Sequence, residues 1–441
     1  MIIISIDSVR NLPATALFGS QVIELYILGG VLFLIPTAII ASEFTQLYPI
    51  EGGIYTWVSK AFGKKLGFLA IWLQWIENVV WFPSIVSFIA AAIAYLVGFK
   101  TSVMYYSVVV PLIFWICTVI NIYGIQITES YSIFATIFGL ILPYLGLLLL
   151  PLYWYFNHIP FANPEILSHL GEVDNFSSLD LSAIGMIYLS LAGIEITASH
   201  IKDVDNPTRT YPIAIITATI FILISQIFGS MGLMAIIPLE KINLIESVIS
   251  VFAIAFEQLQ LQALMPVVAF LFLVGTIGTV INWIIAPIRS LEVATIDGFL
   301  PRSLMSEQSS PPIKLLITQA IIVTILSLLF MIQGDMNQSY WLLSIVPAGL
   351  YLFMYLLMFL SYLYLVITKK VSCTSKVKHY FLVVCSTAGL FGTLMGLYAV
   401  ALPPKVLFSS LNVLTYSFSI ILSISIFTLP AIILMVLYKN E

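Results

Sequence analysis

The sequence predicts an all-α integral membrane protein of about twelve transmembrane helices, built as two five-helix halves of opposite orientation with two helices appended. Three observations carry this. Of the 441 residues, 61% are hydrophobic and 9% charged, with a mean hydropathy of +1.08, where soluble domains are about half apolar and about a quarter charged. Apolar runs of about twenty residues recur from end to end, each long enough to cross a hydrocarbon core of roughly 30 Å as a helix. Two of those runs, five apart, are interrupted by small, polar or charged residues.

The spans fall near 1–19, 20–47, 66–98, 103–123, 131–155, 179–201, 211–236, 262–288, 313–333, 339–367, 380–402 and 410–438. They form one transmembrane domain over 1–438, with repeat one at about 1–155, repeat two at about 179–367 and two additional helices at about 380–438. The first span contains SIDSVRNLP, where Asp7, Ser8, Arg10, Asn11 and Pro13 follow within seven positions. Proline alone would only kink a helix; an accompanying acid and base mark a junction between two half-helices. The sixth span repeats the anomaly in YLSLAGIEITASHIKDVDNP, with a small-residue break at Ala192 and Gly193 followed by Glu195. Between spans two and three lies an amphipathic stretch, PIEGGIYTWVSKAFG, and between seven and eight another, LEKINLIESVISVFAIAF. These loops are also five spans apart but on opposite faces, as an inverted repeat requires.

Basic residues test the layout, because cytoplasmic loops collect them. With the N-terminus inside, the inner segments hold thirteen of the 17 Lys and Arg, the outer loops hold Lys100, Lys241 and Lys405, and Arg10 lies in the first span. Both termini are therefore expected in the cytoplasm. Cys117, Cys373 and Cys385 have neither metal-like spacing nor an even count, so they imply no disulfide framework. No basic region precedes a cleavable apolar segment at the N-terminus, and the net charge of −4 suggests no nucleic-acid partner.

In span three, Gln74, Glu77, Asn78 and Trp81 occur at i, i+3, i+4 and i+7, one face of a helix. That face points away from lipid. Gln74 and Asn78 suit either interhelical hydrogen bonding or substrate contact, while Glu77 at membrane depth marks a pathway. Span eight aligns Gly275, Gly278, Asn282 and Ala286, a spacing that favours close helix packing, with Trp283 beside it as a cavity wall. In span ten Ser344, Ala348, Tyr351 and Tyr355 share a face, and packing is the expected role there too. His158, His169, His200 and His379 are scattered, and neither a metal-binding pair nor a phosphate-cradling loop occurs, so no enzyme and no cofactor are expected.

Five stretches, SVRNLP, PIEGGIYTWVSKAFG, WLQWIEN, LAGIE…HIKDVDNPTRTYPIAI and NWIIAPIRSLEVATIDGFLP, resemble the amino acid, polyamine and organocation transporter superfamily. Among its members the chain most resembles the glutamate/γ-aminobutyrate antiporter family, over essentially its whole length. The resemblance implies a leucine-transporter-type fold with discontinuous helices 1 and 6. It also implies that the backbone around Asp7, Ser8 and Val9 receives a substrate carboxylate, that carbonyls near Leu189 and Ala192 receive its amino group, and that Asn78, Glu195 and Trp283 hold or gate the substrate. Helix dipoles agree: a half-helix starting at the first break aims its positive end at the midplane, and one ending at Gly193 presents unpaired carbonyls.

Two departures from the family pattern stand out. Only six residues precede Asp7, roughly 9 Å of helix against about 15 Å to the midplane, so the start is expected upstream or the first half-helix shortened. The chain ends at Glu441, a few residues past the last span, so acid gating by a C-terminal plug is not expected.

The function implied is secondary active exchange of amino acids by alternating access in the plasma membrane, the bacterial inner membrane by resemblance. A proton-coupled amino acid importer and a non-transporting sensor or channel are the alternatives. Glu195 and Glu77 are the proton-coupling candidates. Arg10 either pairs with Asp7 across the broken turn or grips a second anionic group of the substrate. The expected partners are small-molecule amino acids and the lipid bilayer, with a homodimer allowed.

The topology has a direct test. In a cysteine-free background, Asn243→Cys is expected to react with an impermeant thiol reagent from outside and Ser375→Cys only from inside; the reverse pattern rejects the layout.

Overall fold

Inside a bilayer every backbone N–H and C=O needs an internal partner, which limits a spanning chain of this composition to helices. The computed structural model describes residues 9–48, 53–123, 133–134, 136–168, 180–196, 207–301, 304, 311–370 and 375–437, and among them no strand occurs. Ten of the helices are long and apolar enough to cross a membrane. These are α2 (Gly19–Leu47), α4 (Lys64–Val97), α5 (Val103–Ile122), α6 (Ile137–Phe156), α8 (Pro207–Ile236), α10 (Met265–Ile296), α11 (Ile313–Gln333), α12 (Met336–Ile367), α13 (Lys376–Val400) and α14 (Val413–Leu437).

The two expected spans missing from that set are the first and the sixth, the ones interrupted in the sequence. A 3₁₀ turn over Val9–Asn11 leads into α1 (Leu12–Ala16), and α7 (Ala183–Leu191) stops short of a full crossing. With these two shorter segments the described helices occupy the twelve expected positions. The two amphipathic connections are helical as well, α3 (Gly53–Phe62) and α9 (Ser247–Gln258).

α4 is the axis of the bundle. In its most apolar window 83% is buried, against 17% for α14, because α4 packs against α3, α5, α10 and α12. Its polar face of Gln74, Glu77 and Asn78 is consequently turned into protein, and all three are buried. Gly98, left-handed at φ 74°, ends the helix without a Cβ clash.

Lipid-embedded helices lack a hydrophobic drive to associate with one another, so close backbone approach through small residues does that work. A Cβ on Gly139 of α6 would lie 2.5 Å from Gly275 Cα of α10, and one on Gly232 of α8 would run into the Leu147 carbonyl oxygen. On the predicted cytoplasmic side, Asp297 at the end of α10 accepts from Tyr55 of α3 and pairs with Lys64 at 2.5 Å, while Phe68 stacks on Phe299 at 4.8 Å. A second ion pair, Lys378 with Glu43 at 2.9 Å, ties α13 to α2. On the opposite side Glu246 accepts from Thr101 at 2.6 Å and from Tyr106 at 2.8 Å, anchoring the start of α9 to α5.

Gly232→Val places a branched side chain against backbone that cannot yield. Thermal unfolding in detergent should show a loss of at least about 1–3 kcal/mol, the range for overpacking a core. An unchanged melting temperature would contradict the packing.

Candidate functional site

The site grows from the break after α7. Helix geometry ends at Leu191; Ala192 is extended (φ −82°, ψ 159°) and Gly193 has φ 110°, a left-handed conformation that a side chain would strain. In a continuous helix the Gly193 N–H would bond the Leu189 carbonyl. Here it donates instead to the Tyr355 hydroxyl at 2.8 Å, which leaves the Leu189 carbonyl without its helical partner. Leu189 and Ala192 both flank this opening and are buried.

The Tyr355 hydroxyl in turn donates to Glu195 Oε2. Tyr351, one turn earlier on α12, donates to Glu195 Oε1 at 2.5 Å, and Gln74 Nε2 of α4 donates to the same oxygen at 2.9 Å. Glu195 is thus held by α4 and α12 together. The stripe on α12 expected to serve packing alone is a hydrogen-bonding face at Tyr351 and Tyr355. Sequence reading missed this because a tyrosine at helical spacing looks the same whether its hydroxyl has a partner or not.

One turn along α4, Asn78 Nδ2 donates to the Gln74 carbonyl and to Glu77 Oε2, each at 2.8 Å. Its Oδ1 is buried with no partner among the described residues. Glu77 lies within electrostatic range of both Glu195 and Arg10. Arg10 is buried against α4 further along, its Nη1 donating to Tyr340 at 3.1 Å and to Ser84 at 3.4 Å, while Tyr340 donates back to the Arg10 carbonyl at 3.2 Å. Its guanidinium lies over the Trp81 ring, 4.4 Å from the centroid, and Trp283 sits 5.8 Å beyond Trp81. Tyr340 and Ser84 escaped notice in the sequence, where neither carries a distinguishing signal.

Of the expected site residues, Val9, Arg10, Asn78, Leu189, Ala192, Gly193, Glu195, Trp283 and Glu77 are all buried or at the break. Asp7 and Ser8 lie outside the described residues, and so does any pairing of Asp7 with Arg10. Among the described residues Arg10 makes no ion pair, and no cluster of His, Cys, Asp or Glu is placed to hold a metal.

A polytopic helical bundle with an interrupted helix and buried polar groups at the break is the architecture that many secondary transporters share. The chain belongs to the amino acid permease family, whose model it matches over residues 1–439, within the amino acid, polyamine and organocation superfamily. It is 34% identical over 362 residues to an uncharacterized transporter of Legionella pneumophila, covering 81% of this chain and 77% of that one. It is 29% identical over 372 residues to a glutamate/γ-aminobutyrate antiporter of Lactococcus lactis, covering 82% and 74%. A probable agmatine/putrescine antiporter of the same species is 25% identical over 68% of this chain and 63% of its own. The protein is a multi-pass transporter of the plasma membrane.

Tyr355→Phe removes the oxygen that serves both Gly193 and Glu195, whereas Tyr351→Phe removes one bond to Glu195. Hydrogen bonds to charged groups contribute about 1.5–3 kcal/mol, and an orphaned buried N–H costs about 1–3 kcal/mol. Melting in detergent should therefore fall further for Tyr355→Phe than for Tyr351→Phe, with uptake in proteoliposomes reduced roughly tenfold or more. Equal, small effects would show that the link to the break is not needed.

Proposed function

We propose that the protein is an amino acid antiporter of glutamate/γ-aminobutyrate type, exchanging an amino acid for its decarboxylation product by alternating access, with no enzymatic step. The observation that supports this most is the Tyr355 hydroxyl, bonded to both the Gly193 N–H and Glu195. A backbone break with a released Leu189 carbonyl offers an acceptor for a substrate amino group. Because Glu195 shares a hydroxyl with that break, a change at the carboxylate moves the backbone that meets the substrate. The helical segment from Val9 onward has its N-terminal end, favourable to a carboxylate, on the Met1 side of Leu12–Ala16. The antiporter relatives in Lactococcus lactis agree with exchange.

A proton-coupled importer is the second reading, favoured by the burial of Glu77 and Glu195 together. The groups facing Glu195 in the described residues are Gln74, Tyr351 and Tyr355, with Glu77 in electrostatic range and Arg10 next to Glu77.

Proteoliposomes loaded with unlabelled L-glutamate should accumulate labelled L-glutamate against its gradient, and external γ-aminobutyrate should accelerate efflux. Uptake that ignores internal substrate but follows an imposed proton gradient favours the importer; binding without flux favours a sensor. In the antiporter Glu195→Gln is expected to flatten the pH dependence of exchange, and a wild-type pH profile would remove Glu195 from coupling.

A further inference from the structure

Arg10 and Trp81, which are in contact, each carry a buried N–H donor without a hydrogen-bond partner among the described residues. Arg10 uses Nη1 for Tyr340 and Ser84, but its Nε is buried with no hydrogen-bond partner among the described residues; Trp81 Nε1 is likewise buried and unpartnered. The two residues are 2% and 9% exposed, and the guanidinium carbon stands 4.4 Å from the indole centroid. Among the described residues the guanidinium is held by a serine, a tyrosine and an aromatic face, with no ion pair, and a buried cation with spare donors is costly unless an anion completes it. The carboxyl in electrostatic range, Glu77, makes no ion pair with it and takes the Asn78 amide instead. Tyr340 holds both the side chain and the carbonyl of Arg10, so the donor is fixed in place before any ligand arrives.

We propose that Arg10 Nε and Trp81 Nε1 form a subsite for the side-chain carboxylate of the substrate. This rests on the exchange reading above and gives it a chemical basis. Decarboxylation of glutamate removes the α-carboxylate as carbon dioxide and leaves the side-chain carboxylate untouched. A subsite for that surviving group grips both exchange partners by the same handle. The α-carboxylate, which only one partner has, is left to the backbone at the first break. A carboxylate has two oxygens with which to meet two unpartnered N–H donors, and a guanidinium matches it better than an ammonium.

Trp81→Phe keeps the ring under Arg10 and removes only the indole N–H; Arg10→Gln removes the charge. Wild-type and variant proteins in proteoliposomes would be assayed for competition by L-glutamate, γ-aminobutyrate, L-glutamine and putrescine against one labelled substrate, and in detergent for thermal stabilisation by each compound. The ratios of glutamate to glutamine affinity and of γ-aminobutyrate to glutamine affinity are expected to fall at least fivefold in Trp81→Phe and further in Arg10→Gln. Unchanged ratios, or equal loss for all four compounds, overturn the subsite. So does wild-type protein that binds glutamine or putrescine in preference to both carboxylates. Restored transport with unaltered preference when Arg10→Gln is combined with Glu77→Gln or Asp7→Asn would make Arg10 a scaffold charge and also overturn it. Stabilisation by glutamate that Trp81→Phe abolishes, without counterflow of any compound, supports the subsite and rejects exchange.

Discussion

A helix cannot be interrupted within a bilayer unless the backbone groups it releases find partners, because hydrocarbon supplies none. Here the Tyr355 hydroxyl meets that demand for the Gly193 N–H. The same oxygen also carries the hydrogen given to Glu195, so the break, the buried carboxyl and α12 stand or fall together. The left-handed Gly193 makes the turn and frees the Leu189 carbonyl from its helical partner. Moving α12 relative to α7 therefore alters the acceptor and the carboxyl at once.

The burial of α4 makes this arrangement physically possible. A helix carrying Gln74, Glu77 and Asn78 on one face is unstable against lipid and stable only when surrounded. Because α3, α5, α10 and α12 all pack on it, those groups meet one another and Glu195 rather than acyl chains. The wall beyond is aromatic: Trp81 under Arg10, and Trp283 next to Trp81. Close glycine contacts such as Gly139 with Gly275 keep the outer helices near this centre without polar groups at the lipid face.

Much of this was legible in the sequence, and the residues show why. Ten of the twelve apolar runs are long helices because length and hydropathy decide spanning on their own. The break at residues 192–193 was visible because a glycine followed by an acid in an apolar run is costly in lipid unless the helix gives way there; the one expected at residues 7–13 falls partly outside the described residues, and Val9–Ala16 are helical. Gln74, Glu77 and Asn78 announced a buried face through helical spacing alone. Tyr351 and Tyr355 did not announce theirs: spacing places side chains on a face but says nothing of whether a hydroxyl meets a partner. Tyr340, some 330 residues from Arg10 in the chain, and Ser84 had no local signal at all.

By itself, then, the sequence determined the membrane class, the order of the ten long spans, the break at Ala192 and Gly193 and the residues too polar to face lipid. These follow from transfer free energy and helical periodicity, which act locally along the chain. Only the tertiary structure decided that Glu195 is shared by Gln74, Tyr351 and Tyr355, that Gly193 hands its N–H to Tyr355, and that Arg10 lies on Trp81 with a donor still unpaired. Those partnerships depend on the rotation of each helix about its axis, and packing against all its neighbours sets that rotation at once.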